Sequence, residues 1–386
     1  TNTFVNVPLT IPFTVWDEES PASTLTVTGA VASYSAGLLA DLSFTADGSG
    51  SNRTVTVTPV TDASGVGIVT LTATDTNNNA TNISFAVMIL PNARSVFYDS
   101  FDYPLNTSIL NSSPGFWVRR NASPQSLNLR TSNLAPAAWI RPKSGADDGA
   151  ARLAGAPYLP GAGVTLYLKF QAQWVEAGDV PVVGDSSGPF VLLAPNATAT
   201  ADQICQIATR TNGVPEGFFR LLISNGSGTY TELSSADLVV GNTYQIVVRY
   251  DVDTATATLW VDAAGETAPG ATATDTQNPI QATHVCLRQE PGMGNIYIDD
   301  LTVLAVSRPR IITLTPPSGG NVDLYFWGGS GDTAGDFAVQ RAADLTGGFT
   351  DVSSAITDLG GNQFKATVAA SGDQGFYRVR RLPLNF

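Results

Sequence analysis

The chain is poor in charge. Of its 386 residues only 14% are Asp, Glu, Lys or Arg, well under the roughly 25% of ordinary soluble chains. Three of them are lysines, Lys143, Lys169 and Lys365. Twenty basic residues stand against 33 acidic ones, a formal net charge of −13. So few scattered cations cannot neutralise a run of phosphates, which excludes nucleic acid as a partner and predicts repulsion from anionic membrane surfaces. No stretch approaches 18 consecutive apolar residues, so no segment is read as inserting in a membrane. A charged-then-apolar leader is also missing, and an exported chain is expected to stand here in its mature form. Histidine occurs once, at His284, and cysteine twice, at Cys205 and Cys286, with no CxxC pair. That leaves too few soft ligands for a zinc site.

Helical periodicity is nearly missing as well. In its place come short alternations rich in Val, Thr, Ile and Tyr, broken by Gly, Asn, Asp and Pro: TLTVTGAV, RTVTVTPV, GIVTLTATD, VTLYLKFQAQW, TYQIVVRYDV, ATATLWVDA and NIYIDDLTVL. Period-two alternation at such regular spacing predicts an all-β chain of sandwiches or jelly rolls. With 43% hydrophobic residues each unit can bury a core. Pro8 and Pro12 fall in the first run. Proline cannot donate to a ladder, so that run is expected at a sheet edge or switching sheets. TDTNNNATN (74–82) reads as a hairpin turn.

Three units are expected. Residues 1–92 carry IPFTVWDEESPASTLTVTGA, LSFTADGSGSNRTVTVTPV and GIVTLTATDTNNNATNISFAVMIL, and over that span the chain resembles the Ig-like sandwich modules of large secreted bacterial surface proteins. The likeness implies a spacer or adhesive module with no common catalytic site. Residues 93–307, through YDSFDYPLNTSI, FFRLLISNGSGTYTEL, LVVGNTYQIVVRYDVDTATATLWVD and GNIYIDDLTVL, resemble the laminin-G/concanavalin-A-like jelly rolls. That fold serves lectins, glycosidases and purely structural domains alike. Residues 308–386 open on the Pro-rich SRPRIITLTPPSGG and continue through FAVQRAADLTGGFTDV and FYRVRR. They resemble small fibronectin-III-like β-sandwich modules at the C-termini of secreted bacterial proteins.

Catalysis finds little support. GDSSG (184–188) fits the GxSxG pattern around Ser186, but the nucleophile elbow needs a strand–turn–helix context that is not visible. His284, the single candidate base, lies in a β-like run beside Cys286 and reads as a strand histidine. Glycosidases of the jelly-roll fold often carry Glu-x-Asp-x-x-Glu on one strand. No Glu-x-Asp occurs here, and the seven glutamates are scattered. No catalytic residue is assigned, and the chain is read as non-enzymatic.

Binding candidates are better founded. Asp99 and Asp102 stand where the jelly-roll unit begins and Asp299 and Asp300 where it ends. First and last strands of such folds lie side by side, so these carboxylates could cage a structural Ca²⁺ with hard oxygens; capping of turns by Asp is the alternative. Cys205 and Cys286 are either a disulfide or two buried free thiols. Among the six tryptophans, Trp139 in PAAWIRP and Trp260 in ATLWVD are the candidates for stacking on a sugar ring, against core packing as the default. Eight Asn-x-Ser/Thr sequons occur; they matter only where the source glycosylates.

Three functions fit: an extracellular structural subunit that self-associates into a filament or layer, a carbohydrate-binding cell-surface adhesin, and an accessory remnant of a surface enzyme. The low charge and the many strand edges open to pairing favour the first. An exposed aromatic beside a calcium site would favour the second.

Overall fold

The computed structural model describes residues 1–45, 50–120, 127–132, 135–140, 149–175, 188–198, 203–211, 213–226, 230–233, 237–274, 279–289, 294–344, 348–370 and 375–386. It is nearly all β, and its strands fall along the chain into three successive pairs of facing sheets.

In the first pair, a four-stranded sheet runs Asn2–Phe4, Ala80–Leu90, Gly65–Thr74, Thr26–Val31, and a three-stranded sheet runs Leu9–Thr14, Asn52–Pro59, Leu39–Thr45. The chain crosses from one to the other between Phe4 and Leu9. Pro12 then sits on the edge strand Leu9–Thr14, where its missing N–H breaks no ladder. Both outcomes expected of Pro8 and Pro12 are met. The Asn52–Pro59 strand alternates strictly, turning Val55 and Val57 onto Val69, Leu71, Val87 and Ile89. Asp75 closes the hairpin at 74–80 by accepting from the N–H groups of Asn77 and Asn79, at 2.8 and 2.7 Å.

The central pair is the largest. One eight-stranded sheet runs Asn128–Ser132, Ala135–Ile140, Ile296–Ser307, Val164–Trp174, Thr243–Asp251, Thr256–Val261, Ala271–Thr274, with Ser95–Asp99 also on Ile296–Ser307. The facing sheet, also eight-stranded, is centred on Ile204–Arg210, Val191–Ala194, His284–Leu287 and Gly149–Arg152. Between them lie Phe170, Trp174, Phe190, Phe219, Tyr250 and many aliphatic side chains. The long strand Ile296–Ser307 is shared along one side: residues 296–298 pair with Ala135–Ile140, and residues 301–304 pair with Ser95–Asp99. The handover falls at Asp299 and Asp300, where Asp300 takes a left-handed φ of 51° and the ladder to Val164–Trp174 skips a residue.

The last pair sets Arg310–Leu314, Asn321–Trp327, Gln363–Ala369 and Ser354–Gly360 against Thr350–Val352, Phe337–Ala342 and Phe376–Arg381. Phe326, Phe337 and Phe364 fill the space between, their ring centroids 5.0 to 5.5 Å apart. Among the described residues no helix is long and apolar enough to cross a membrane.

Candidate functional site

The strand Val164–Trp174 lays out the site. In VTLYLKFQAQW the apolar positions Leu166, Leu168, Phe170, Ala172 and Trp174 enter the core, so Tyr167, Lys169, Gln171 and Gln173 take the outer face. The same alternation brings Tyr297 and Trp139 to that face from the two strands alongside. Register lines up Trp139, Tyr297 and Gln173 across three strands. The rings of Trp139 and Tyr297 stack, with centroids 6.5 Å apart and planes within 15°. Both side chains are half-buried. The Arg130 guanidinium lies 4.9 Å from the centre of the Trp139 ring, within cation–π range. The indole Nε1 of Trp139 donates to Asn295 Oδ1 at 3.1 Å, fixing the ring at one edge. The outcome is an aromatic shelf on the outer face of the sheet, two stacked rings with the Arg130 guanidinium against the indole.

A groove of about 670 Å³ continues along that face, lined by Tyr98, Lys169, Gln171, Gln245, Asp300 and Thr302 among others. Asp300 organises its floor. The Tyr98 hydroxyl donates to Asp300 Oδ1 at 2.9 Å and Gln171 Nε2 to Asp300 Oδ2 at 3.3 Å. Burial, with the Asp300 charge beside it, pushes the Tyr98 phenol well above its ordinary range, so it stays a donor. Lys169 reaches the groove without an ion pair among the described residues. Shelf and groove lie one pleat apart, Gln173 to Gln171, or about 7 Å.

The four aspartates do meet, because Leu301 pairs with Asp99 across the ladder. Asp99 and Asp300, however, already spend both oxygens on protein donors. Asp99 is buried and accepts from Trp117 Nε1 at 2.7 Å, the Phe101 N–H at 2.8 Å and the Tyr103 hydroxyl at 3.0 Å. Burial lifts its carboxyl to about 7 even against those three donors. Asp299 is lifted to about 7 too, by burial first and then by the charges of Asp300, Asp102 and Asp99. Asp300 is engaged by Tyr98 and Gln171, while Asp102 is exposed. Among the described residues no group of three or more His, Cys, Asp or Glu side chains is disposed to hold a metal ion. Two of the four carboxylates, Asp99 and Asp300, are thus arranged to accept protein donors.

No protein-family model matches this chain. Nor does any curated protein. Solved structures are similar only remotely. A carbohydrate esterase from the Shiga toxin-encoding bacteriophage phi24B shares 10% identity at a TM-score of 0.37, covering 55% of this chain and 98% of its own. The seed lectin of Lotus tetragonolobus shares 13% at 0.31, covering 53% and 96%. A lectin from Bauhinia forficata in complex with GalNAc shares 12% at 0.27, covering 55% and 97%. Likenesses this remote transfer no activity to this chain.

The other sequence candidates fare unevenly. Trp260 points outward from its strand, but it is 3% exposed. Phe386 lies over it at 5.2 Å and its Nε1 donates to Ala268 O at 2.9 Å. The expectation that Trp260 stacks on sugar is therefore corrected: the C-terminal tail already occupies its face. Cys205 and Cys286 are both free and buried, so the disulfide alternative falls. Cys286 sits two strands from Cys205, with Val191–Ala194 between, a separation of about 9–10 Å that exceeds disulfide reach. The two also join different clusters, Cys205 the main core and Cys286 a pocket with Ala150, Leu192 and Ala194. His284 is buried, shares a hydrogen with Thr283 Oγ1 at 2.6 Å, and is driven down to about 4 by burial and then by Arg152 and Arg120. It is a neutral structural histidine at pH 7. Ser186 of the GDSSG motif lies outside the described residues. Sequence reading missed Tyr297, Tyr98, Lys169 and Gln171. Alternation in NIYIDDL and VTLYLKFQAQW was the signal that could have found Tyr297 and the Lys–Gln stripe.

Proposed function

We propose that this protein is a non-catalytic carbohydrate-binding protein of the extracellular or cell-surface kind, holding a glycan across the outer face of the sheet that carries Trp139. The supporting observation is the Trp139–Tyr297 shelf, its ring planes within 15° of parallel, on the same sheet face as a polar groove. A pyranose ring presents an apolar C–H face and an equatorial belt of hydroxyls. Stacked aromatic rings suit the first. Tyr98, Gln171, Gln245, Lys169 and Thr302 supply the donors and acceptors that suit the second. The shelf is already held by Asn295 and Arg130, so little ordering entropy is lost on binding.

The test is a glycan array followed by calorimetry on the best sugar, with wild type and Trp139→Ala. Trp139→Ala is expected to weaken binding at least about tenfold, equivalent to 1.4 kcal/mol, with the fold retained by circular dichroism. No binding by wild type to any glycan, or equal binding by Trp139→Ala, would overturn the reading.

A further inference from the structure

We propose that copies of this chain join end to end, the tip of the N-terminal sandwich of one copy seating on the outer face of the C-terminal sheet of the next. The tip carries the two most exposed large apolar side chains among the described residues, Trp16 at 73% and Ile83 at 65%. With Phe13, Val15, Val27 and Leu71 they line a groove of about 420 Å³. This is the free end of the sandwich. Leu71 and Ala73 lie at the groove on the same strand whose other end, Val66 and Ile68, is buried against the central unit, roughly 15 Å away at 3.3 Å per residue. An exposed tryptophan in an apolar groove is the composition of an interface centre, not of an idle surface.

Charge selects the occupant. Asp17, Glu18 and Glu19 follow Trp16 directly and are exposed. Residues 1–92 hold seven acidic residues and one cation, Arg53. That guanidinium is spent on the carbonyls of Gly50, Ala22 and Leu25. The tip therefore calls for an apolar partner with a basic rim. The same chain carries one. On the strand Asn321–Trp327 the core takes Val322, Leu324 and Phe326, and Trp327 is left 41% exposed. Arg310 stands opposite Trp327 in register, exposed and without an ion pair among the described residues. Ile312, 48% exposed at the adjoining bulge, extends the patch. Lys365, by contrast, is held by Asp323 at 2.9 Å. Because the two surfaces differ, the contact is heterologous and propagates as an open chain instead of closing as a symmetric dimer. Neither surface includes Trp139, so assembly and glycan binding are separable.

Sedimentation velocity of the full chain across a wide concentration range tests this. Wild type is expected to form a growing series of species, more readily at low salt. Trp16→Glu and Arg310→Glu should each weaken association at least about tenfold. Both residues are exposed, and circular dichroism would verify that each variant folds. Mixing the two variants should restore a single contact, the intact tip of Arg310→Glu on the intact face of Trp16→Glu, and stop at one-to-one dimers. Wild type that stays monomeric throughout, assembly untouched by Trp16→Glu, or variants that fail to pair where wild type grows would each sink the proposal.

Discussion

The two seams that flank the central sandwich are built from opposite materials. At the N-terminal seam, Val66, Ile68, Ala86, Met88 and Leu90 belong to the same buried cluster as Phe97, Phe101 and Trp117 of the central unit. Tyr34 adds an edge-on contact to Tyr103 and donates to Ser112 O at 3.0 Å. At the C-terminal seam the contacts are charged. Arg94 holds Asp332 at 3.2 Å and Asp336 at 2.6 Å, and Arg381 pairs with Asp332 while donating to Ser307 O. Apolar burial needs no fixed geometry. A buried ion cluster depends on every partner being present, since any one removed leaves a desolvated charge. The first seam makes two sandwiches share one core, and the second latches a third onto them.

The comparison is broken most severely by placing a charge in the apolar seam. Met88→Asp should destabilise the protein by more than about 5 kcal/mol, because it puts a charge into a buried apolar cluster. Asp332→Ala, which leaves Arg381 without its carboxylate and Arg94 with Asp336 alone, should cost about 3 kcal/mol. Urea unfolding of both variants measures the gap. Equal losses would mean that the two seams are not different in kind.

A pH-dependent effect sharpens the contrast between a buried acid with cations and one without. Asp332 has two arginines, whereas Asp99, beneath the N-terminal seam, has only neutral donors. The Asp99 carboxyl rises from 3.8 to about 7 on folding. Between those values the folded state keeps a proton that the unfolded chain has lost. Stability therefore falls as pH rises through this window and is fully diminished above it, by at most about 4 kcal/mol at 1.36 kcal/mol per pH unit. Asp299 acts in the same direction, with its carboxyl also raised to about 7. His284, lowered to about 4, opposes them between its ordinary 6.5 and that value. His284 is untouched in Asp99→Asn, while Asp299 loses one of the charges that lift it, so the difference between wild type and this variant reports Asp99 together with its coupling to Asp299. Melting temperature against pH from 4 to 8 should decline less steeply in Asp99→Asn, and parallel curves would contradict the assignment.

What the sequence made legible was whatever depends on period and on proline. Pro8 and Pro12 located the change of sheet, and TDTNNNATN the hairpin. The approach of Asp99 to Asp299 and Asp300 followed from the first and last strands of the central unit lying together. Alternation tells which face a side chain takes, but not what lies over that face. Trp260 and Trp139 both point outward, yet Trp260 is covered by a residue 126 positions later in the chain, Phe386. Nor does alternation survive irregular backbone. Cys205 and Asp300 both take left-handed φ, at 53° and 51°, so the facing of their side chains could not be counted along the strand.

The tail that covers Trp260 is the least costly part of the C-terminal seam to remove, and it shows how much of that seam is apolar. Leu384 donates to Glu266 Oε2 at 2.8 Å and accepts from the Glu266 N–H at 3.0 Å, and the Phe386 N–H reaches Ala264 O at 2.9 Å. Glu266 is held in place from beneath by the Tyr167 hydroxyl at 2.9 Å and by Arg249 at 3.1 Å. Gly265 permits the approach, since a Cβ there would stand 2.7 Å from Leu384 O. Truncation after Pro383 removes the Phe386 ring and these three hydrogen bonds but leaves the Asp332 cluster intact. The expected loss is about 1–2 kcal/mol, the scale of one buried aromatic side chain against modest net hydrogen bonding. Tryptophan emission should shift to the red as Trp260 meets water. Loss of the whole C-terminal unit's protection from protease on this truncation would mean that the tail, and not the arginine cluster, is the latch.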